Sequence, residues 1–255
     1  MKKNKDLINQ IFNESCLDTL QRIADNSIDV VVTSPPYNMN LRIRKGVYCS
    51  RQIVKELSTK YDDFSDNLPI NEYYEFHKNV LSELLRVSNL TFYNIQIVTG
   101  SKRAFFKLIG DFSDNLKDII VWDKKVSQPA MQTQVLNRRT ELILVFENDY
   151  PISRQFRSAT FKRGTLEDIW EIGRERSKAD YHGATFPEKL VSRILENFSK
   201  KRDVVYDPFM GTGTTAIVAK KLGRYFIGSE LSKKYHKSAL QRLEEVGDLF
   251  NDIDT

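Results

Sequence analysis

The chain is poor in the residues that staple small proteins or clip them with metal. Its 255 residues include two cysteines, Cys16 and Cys49, and only three histidines. They are scattered, without the dense even set of a disulfide framework or the paired spacing of a zinc site, so no metal is expected and a reducing compartment is. Long apolar runs are missing too: nothing approaches the ~18 consecutive apolar residues a membrane span needs. The opening MKKNKDLINQ has no apolar stretch after its lysines, which argues against a secretory leader. The expectation is a soluble, cytoplasmic protein without a membrane partner. Internal repeats and low-complexity tracts are absent, so the reading rests on short apolar runs. Charge of one sign does not dominate: 39 Lys and Arg oppose 34 Asp and Glu, for a net +5 and a pI near 9.0. That balance is compatible with a polyanionic partner without proving one.

What is present suits one main domain over 1–255, since 40% hydrophobic residues can bury a substantial core at this length. Short β-rich runs at 28–32, 91–98, 118–122, 141–146, 203–206 and 225–228 alternate with helical patterns, the signature of an α/β sheet. The spacing predicts helices over 71–87, with Asn71 as cap; over 187–198, with Pro187 in the first turn; and over 214–222, stopped by Gly223. The expected architecture is an open, twisted, mostly parallel sheet flanked by helices. Trp170 is expected to be a structural aromatic. Two basic stretches break the rhythm: 39–60, with Arg42, Arg44 and Lys45, and 151–168, with Arg154, Arg157 and Lys162. They suggest substrate-facing insertions, against the alternative of ordinary solvated loops.

Directly after the run IDVVV stands TSPPYN, residues 33–38. Ligands of open α/β sheets bind beyond the carboxyl ends of strands. Two successive prolines fix φ and hold the preceding residues extended, so Ser34 and the Pro35 carbonyl become rigid acceptors aimed at an N–H group, with Pro36 completing the turn. Tyr37 offers a flat face for stacking an unpaired base.

The second motif is DPFMGTGTTAIVAKK, 207–221, a strand end, a glycine turn and a helix start. Gly211 and Gly213 permit positive φ, while Thr214 and Thr215 lie where a helix presents free N–H groups to an anion. The turn lacks the Gly-Lys-Ser/Thr ending of a Walker loop and is not a full G-x-G-x-x-G fingerprint. Glu230 follows at the distance where an acid bonds ribose hydroxyls in nucleotide-binding sheets. The combination points to an adenosine-type cofactor.

Together the two motifs resemble the amino-methyltransferase family of restriction-modification systems, with its (D/N/S)PPY catalytic and DPFxGxGTT cofactor motifs. Their order here, catalytic motif first, is that of the permuted beta group and argues for DNA as substrate. The resemblance implies a Rossmann-like fold and S-adenosylmethionine as cofactor. It implies an extruded base held by Ser34, Pro35, Pro36 and Tyr37, where acceptors on the amine help its nitrogen pyramidalise as it attacks the methyl group. Asp207, Phe209, Gly211, Gly213, Thr214 and Thr215 would bind the methionine end, Glu230 the ribose, and 182–187, with His182, Thr185 and Pro187, the far side of the cofactor. Residues 13–15 depart from the family's usual Gly-Asp pair, and Glu14 is the candidate substitute.

Sequence choice and DNA contact then fall to 39–60 and 128–168. The expected partners are double-stranded DNA, a second copy of the chain and a cognate restriction endonuclease. Serine before the two prolines is commoner in relatives acting on N4 of cytosine, aspartate in those acting on N6 of adenine, so N4 of cytosine is the favoured target and N6 of adenine the alternative. An RNA methyltransferase and a catalytically silent DNA-binding subunit are the rival readings.

Overall fold

The computed structural model describes residues 4–38, 68–98, 100–128, 133–148, 154–175 and 186–246, and the backbone of 42–44 and 47–49. In chain order the first half comprises β1 (Gln10–Phe12), α1 (Cys16–Arg22), β2 (Val30–Thr33), β3 (Arg42–Arg44), β4 (Val47–Cys49), α2 (Ile70–Val87), β5 (Leu90–Ile95) and α3 (Lys102–Asp111). The second comprises β6 (Leu116–Gln128), β7 (Arg138–Glu147), β8 (Ile169–Glu171), α4 (Glu188–Phe198), β9 (Val204–Asp207), α5 (Thr214–Lys221), β10 (Tyr225–Ser229) and α6 (Lys233–Glu245).

The central strands are short Val, Ile and aromatic runs buried on both sides: every residue of β2, β5 and β9 is buried. Strands of that kind need cover on both faces, and two apolar clusters supply it. Helices α1, α2 and α3 pack on one face through Leu20, Leu81, Leu84 and Phe105, while α4, α5 and α6 pack on the other through Val191, Leu195, Ile217 and Ala239. In α2 the buried positions Tyr73, Tyr74, His77, Val80, Leu81, Leu84 and Leu85 recur at helical spacing, one stripe turned to the sheet.

The sheet order is β1-β10-β9-β2-β5-β7-β6-β8, with β3 and β4 forming a separate antiparallel ribbon. Starting from β2 the chain builds outward through β5, and starting from β9 it builds the other way through β10. The neighbours β2 and β9 are parallel, with Val31 opposite Tyr206. Their junction is therefore the topological switch point, where an open α/β sheet leaves a crevice beyond the strand ends. Both sequence motifs leave the sheet there.

The mostly parallel expectation holds, with one reversal: β7 is antiparallel to both β5 and β6. β6 and β7 extend well beyond 118–122 and 141–146 and make a hairpin that projects past the crevice edge. Consequently 128–168 is not one insertion, because 138–147 is a sheet strand. Asn71 does not cap α2. The helix starts one residue earlier, with Tyr73 N donating to the Pro69 carbonyl at 3.0 Å, because the fixed φ of Pro69 already sets the entry. Pro187 occupies the cap position of α4, and a carboxylate distant in sequence tops that helix: Glu175 Oε2 accepts from Glu188 N at 2.9 Å. Trp170 is fully buried, its indole N–H donating to the Glu167 carbonyl.

The basic residues of 154–168 lie away from the crevice. Arg154 stands 4.0 Å from Asp118 near the start of β6, Arg157 N donates to Glu147 at the end of β7, and Thr160 N donates to the Asn197 carbonyl near the end of α4. All three anchor points are on the edge opposite Ser34, and Phe156 and Phe161 tether the segment there by packing on Phe198. The expectation that Arg154, Arg157 and Lys162 face the substrate is corrected accordingly: aromatic anchoring takes the loop to the far edge. Among the described residues no helix is long and apolar enough to cross a membrane.

Candidate active site

Beyond β2 and β9 opens a solvent-facing cleft lined by residues of both motifs, the position at which open α/β sheets bind their ligands. Ser34–Tyr37 form one wall, and the 207–215 turn and Glu230 the other. Residues far apart in sequence thus meet in one space.

Asp207 joins the two walls. One carboxylate oxygen accepts from Thr33 Oγ1 at 2.7 Å and from Phe209 N at 3.0 Å; the other accepts from Thr215 Oγ1 at 2.7 Å. The residue before Ser34 and the first turn of α5 are therefore held by one side chain. Burial pushes the Asp207 carboxyl up to about 6, against the pull of the Thr215, Thr33 and Phe209 hydrogen bonds. Asp207 lines the cleft while holding both walls, and its Oδ2, with one protein donor, keeps a lone pair.

Glu230 has a double engagement. Its Oε2 accepts from Gly211 N at 2.7 Å and its Oε1 from Ser232 N at 2.9 Å, and the remaining lone pairs of a carboxylate can still accept from hydroxyls. Gly213 N donates to the Met210 carbonyl. The Gly211 and Gly213 N–H groups are thus consumed in shaping the turn, and the free donors are those of the first turn of α5, which no side chain caps. Gly211 and Gly213 have φ of +55° and +87°, a conformation that costs a residue with a Cβ about 1–2 kcal/mol. A Cβ at 213 would also come within 2.9 Å of Ala239 Cβ in α6, so substitution there perturbs the fold as well as the cleft.

The cofactor set fits S-adenosylmethionine: Phe209 and Phe186 offer apolar ring faces, Glu230 offers acceptors, and α5 offers its N-terminus. Phe186, rather than the neighbouring Pro187, reaches the cleft, while His182 and Thr185 lie outside the described residues. Asn13 Nδ2 donates to the carbonyls of Glu230 and Leu231, pinning that corner. Glu14 lines the cleft with its carboxylate already bound to Arg22 and Thr19. Burial pushes the Cys16 thiol up to about 12, so this cleft residue is protonated and a poor nucleophile.

The Pro-Pro segment is clamped from behind. Tyr73 of α2 donates to the Pro36 carbonyl at 2.6 Å, and Asn38, at φ +50°, donates to the Leu68 carbonyl. Tyr37 is 6% exposed, and its hydroxyl meets Ser34 Oγ, Asn94 Nδ2 and Glu141 Oε2. Sequence reasoning missed Asn94, Lys124 and Glu141, because polar residues within or at the ends of β-rich runs read as solvent-facing. Of the basic residues assigned to DNA, Arg42 and Arg44 lie in β3, and Lys45 lies outside the described residues.

An open α/β sheet with an acid-bearing cofactor cleft at its switch point, facing a rigid Ser-Pro-Pro-Tyr wall, defines an S-adenosylmethionine-dependent methyltransferase. The profile of the N6/N4 family, described as DNA methylase, matches residues 28–241, and the chain belongs to that family. It is 31% identical to the Type II methyltransferase M.HinfI of Haemophilus influenzae, covering 100% of this chain and 74% of that protein. It is 28% identical to M.BglII of Bacillus subtilis, covering 98% and 72%. Among solved structures it resembles the PvuII DNA methyltransferase (cytosine-N4-specific), with a TM-score of 0.68 at 17% identity over 95% and 91% of the two chains. It also resembles the M1.HpyAVI–SAM complex, with a TM-score of 0.60 at 19% identity over 92% and 98%. These likenesses extend over nearly the whole chain and confirm the fold.

The raised Asp207 carboxyl makes a pH prediction. Its folded value near 6 lies above the ordinary 3.8, so the native state binds this proton more tightly than the unfolded one. The stabilisation is full below about pH 4 and is lost as pH rises through 6, a change of roughly 3 kcal/mol. Denaturant unfolding of the parent and the Asp207→Asn variant across pH 4–7 should show their stability difference drifting by that amount in the parent's disfavour. A difference independent of pH would refute it.

Proposed function

We propose that the chain methylates the N4 amine of cytosine in double-stranded DNA, with Ser34–Tyr37 receiving the extruded base and the 207–215 turn and Glu230 holding the cofactor. The observation that carries this reading is the Ser34 hydroxyl, which opens into the same cleft as the cofactor turn and stands where adenine-directed relatives more often have aspartate. S-adenosylmethionine, when bound, supplies an electrophilic methyl on a sulfonium. The protein's part is to hold the amine: Ser34 and the Pro35 carbonyl accept its N–H groups, Tyr73 keeps the Pro-Pro segment from shifting, and Tyr37 bounds the pocket with its ring. The DNA would lie across the crevice edge of the sheet in the cytoplasm. A second copy of the chain and a cognate restriction endonuclease complete the set of partners the family resemblance suggests.

Nucleoside mass spectrometry of DNA from an expressing host should show N4-methylcytosine. N6-methyladenine without it would return the target to adenine, and 5-methylcytosine would overturn the amine mechanism.

For DNA contact we assign, besides Arg42, Arg44 and Lys45, the hairpin of β6 and β7. It projects from the crevice edge with Lys125, Arg138 and Arg139 exposed, and Val126 and Leu136 are 74% and 90% exposed at its end. Each phosphate neutralised steepens the fall of log affinity with log salt by about 0.9. Replacing Lys125 and Arg138 together by Gln should flatten that slope by about one to two, measured by fluorescence anisotropy on duplex DNA. The same change at Arg154 and Arg157, on the far edge, should leave it unaltered. The reverse result would return the 154–168 segment to the interface.

A further inference from the structure

Behind the Ser-Pro-Pro-Tyr wall is a buried polar cluster that neither motif contains. Lys124 is 1% exposed, and its Nζ lies 2.9 Å from Glu141 Oε1. Glu141, 8% exposed, accepts at Oε2 from Asn94 Nδ2 at 2.7 Å and from the Tyr37 hydroxyl at 3.0 Å. Asn94 Nδ2 also donates to Tyr37 Oη at 2.6 Å, and Tyr37 Oη lies 2.7 Å from Ser34 Oγ. Three strands, β5, β6 and β7, contribute one residue each.

Proton counting orders this cluster. A carboxylate paired with lysine can only accept, and tyrosine has a single hydroxyl proton. That proton goes to Glu141, so Tyr37 Oη has only lone pairs for its other neighbours and accepts from both Asn94 and Ser34. The hydroxyl proton of Ser34 is therefore directed at Tyr37. The amide of Asn94 is oriented by the same logic, since its oxygen could not face Glu141 Oε2. Asn94 Nδ2 also meets Ser34 Oγ, at 3.4 Å, and what Ser34 presents to the cleft is its remaining lone pair.

We infer that the Lys124–Glu141 pair is a positioning device for the methyl-transfer site, acting through Tyr37 to fix the Ser34 hydroxyl as an acceptor toward the target amine. A serine hydroxyl left to itself rotates among three staggered positions and can donate as readily as accept. An orientation donating toward the amine would leave the amine proton without its acceptor. The buried pair removes that freedom before the base arrives, so no reorientation is needed during reaction, which is where preorganised polar groups have their effect. Lys124 holds the other carboxylate oxygen of Glu141 at 2.9 Å. The inference rests on Ser34–Tyr37 being the pocket for the reacting base.

The test compares Ser34→Ala, Tyr37→Phe, Glu141→Gln and the double variant Ser34→Ala/Tyr37→Phe by transfer of tritiated methyl groups to unmethylated bacterial genomic DNA. S-adenosylmethionine affinity by calorimetry and thermal unfolding are measured alongside. Tyr37→Phe keeps the ring and the ion pair and removes only the hydroxyl. Its kcat should fall on the order of 10²-fold, with cofactor affinity and the KM for DNA held within about twofold. Glu141→Gln, able to donate to Tyr37, should fall similarly. The double variant should be no slower than Ser34→Ala alone, because the hydroxyl that Tyr37 orients is already gone. Losses that multiply in the double variant would show Tyr37 acting independently of Ser34 and would overturn the inference, as would a fully active Tyr37→Phe. If Glu141→Gln fails to fold, Tyr37→Phe and the double variant decide. A fully active Ser34→Ala would instead overturn the pocket assignment, and the inference with it.

Discussion

The carboxylate of Asp207 is the constraint on which the site depends. It ends β9 at the switch point, reaches back to Thr33 of β2 and forward to Phe209 and Thr215, and so fixes the distance between the glycine-turn wall and the Ser-Pro-Pro-Tyr wall, the proposed cofactor and target sides. A methyl group in flight tolerates little error in that distance, since reacting atoms must be about 3–3.5 Å apart and aligned. Burying an acid at this junction is unfavourable, as its raised titration shows, and its three donors limit that cost while still leaving a net penalty at neutral pH. The fold retains a destabilising group where the two walls would otherwise be coupled only through the sheet.

The same trade recurs behind the catalytic wall. The Lys124–Glu141 pair is nearly dry, and a pair of that kind is weak evidence for stability: removing one partner costs about 3–5 kcal/mol, yet replacing both by packed apolar residues is often neutral. Its service is directional. Hydrophobic residues could fill the volume under Tyr37 but could not dictate which way two hydroxyl protons point. Tyr73 and Asn38 serve the adjoining loop likewise, absorbing the Pro36 carbonyl and turning the chain at a left-handed position.

The features legible in the sequence were those with strong local chemistry. Successive prolines after an apolar run, a glycine pair before a helical pattern, and an acid at ribose spacing each constrain the backbone wherever they occur. They located the cleft, and the apolar runs located the central strands. Relational features were hidden. Asn94, Lys124 and Glu141 are polar residues within β5, β6 and β7, indistinguishable in pattern from solvent-facing positions until the sheet brings them beneath Tyr37. The reversal of β7 determines which loops reach the crevice, and no periodicity encodes strand direction. The basic character of 154–168 was therefore visible and its location was not. Phe156 and Phe161 were the signal available, since two phenylalanines in a basic loop need a core to cover them.

The order of the motifs matters less to the geometry than to the lineage. Thr33 and Asp207 are 174 positions apart, yet they are neighbours because β2 and β9 each begin a run of strands that grows away from the other. A parallel sheet built outward in two directions from its middle places the first strand of each run side by side, whichever run the chain makes first. The crevice follows from that topology alone, and the side chains at the two strand ends need only be complementary. Asp207 with Thr33 is one such complement, an acid that accepts and a hydroxyl that donates. This explains how a catalytic wall and a cofactor wall can exchange places in sequence while the distance between them stays fixed.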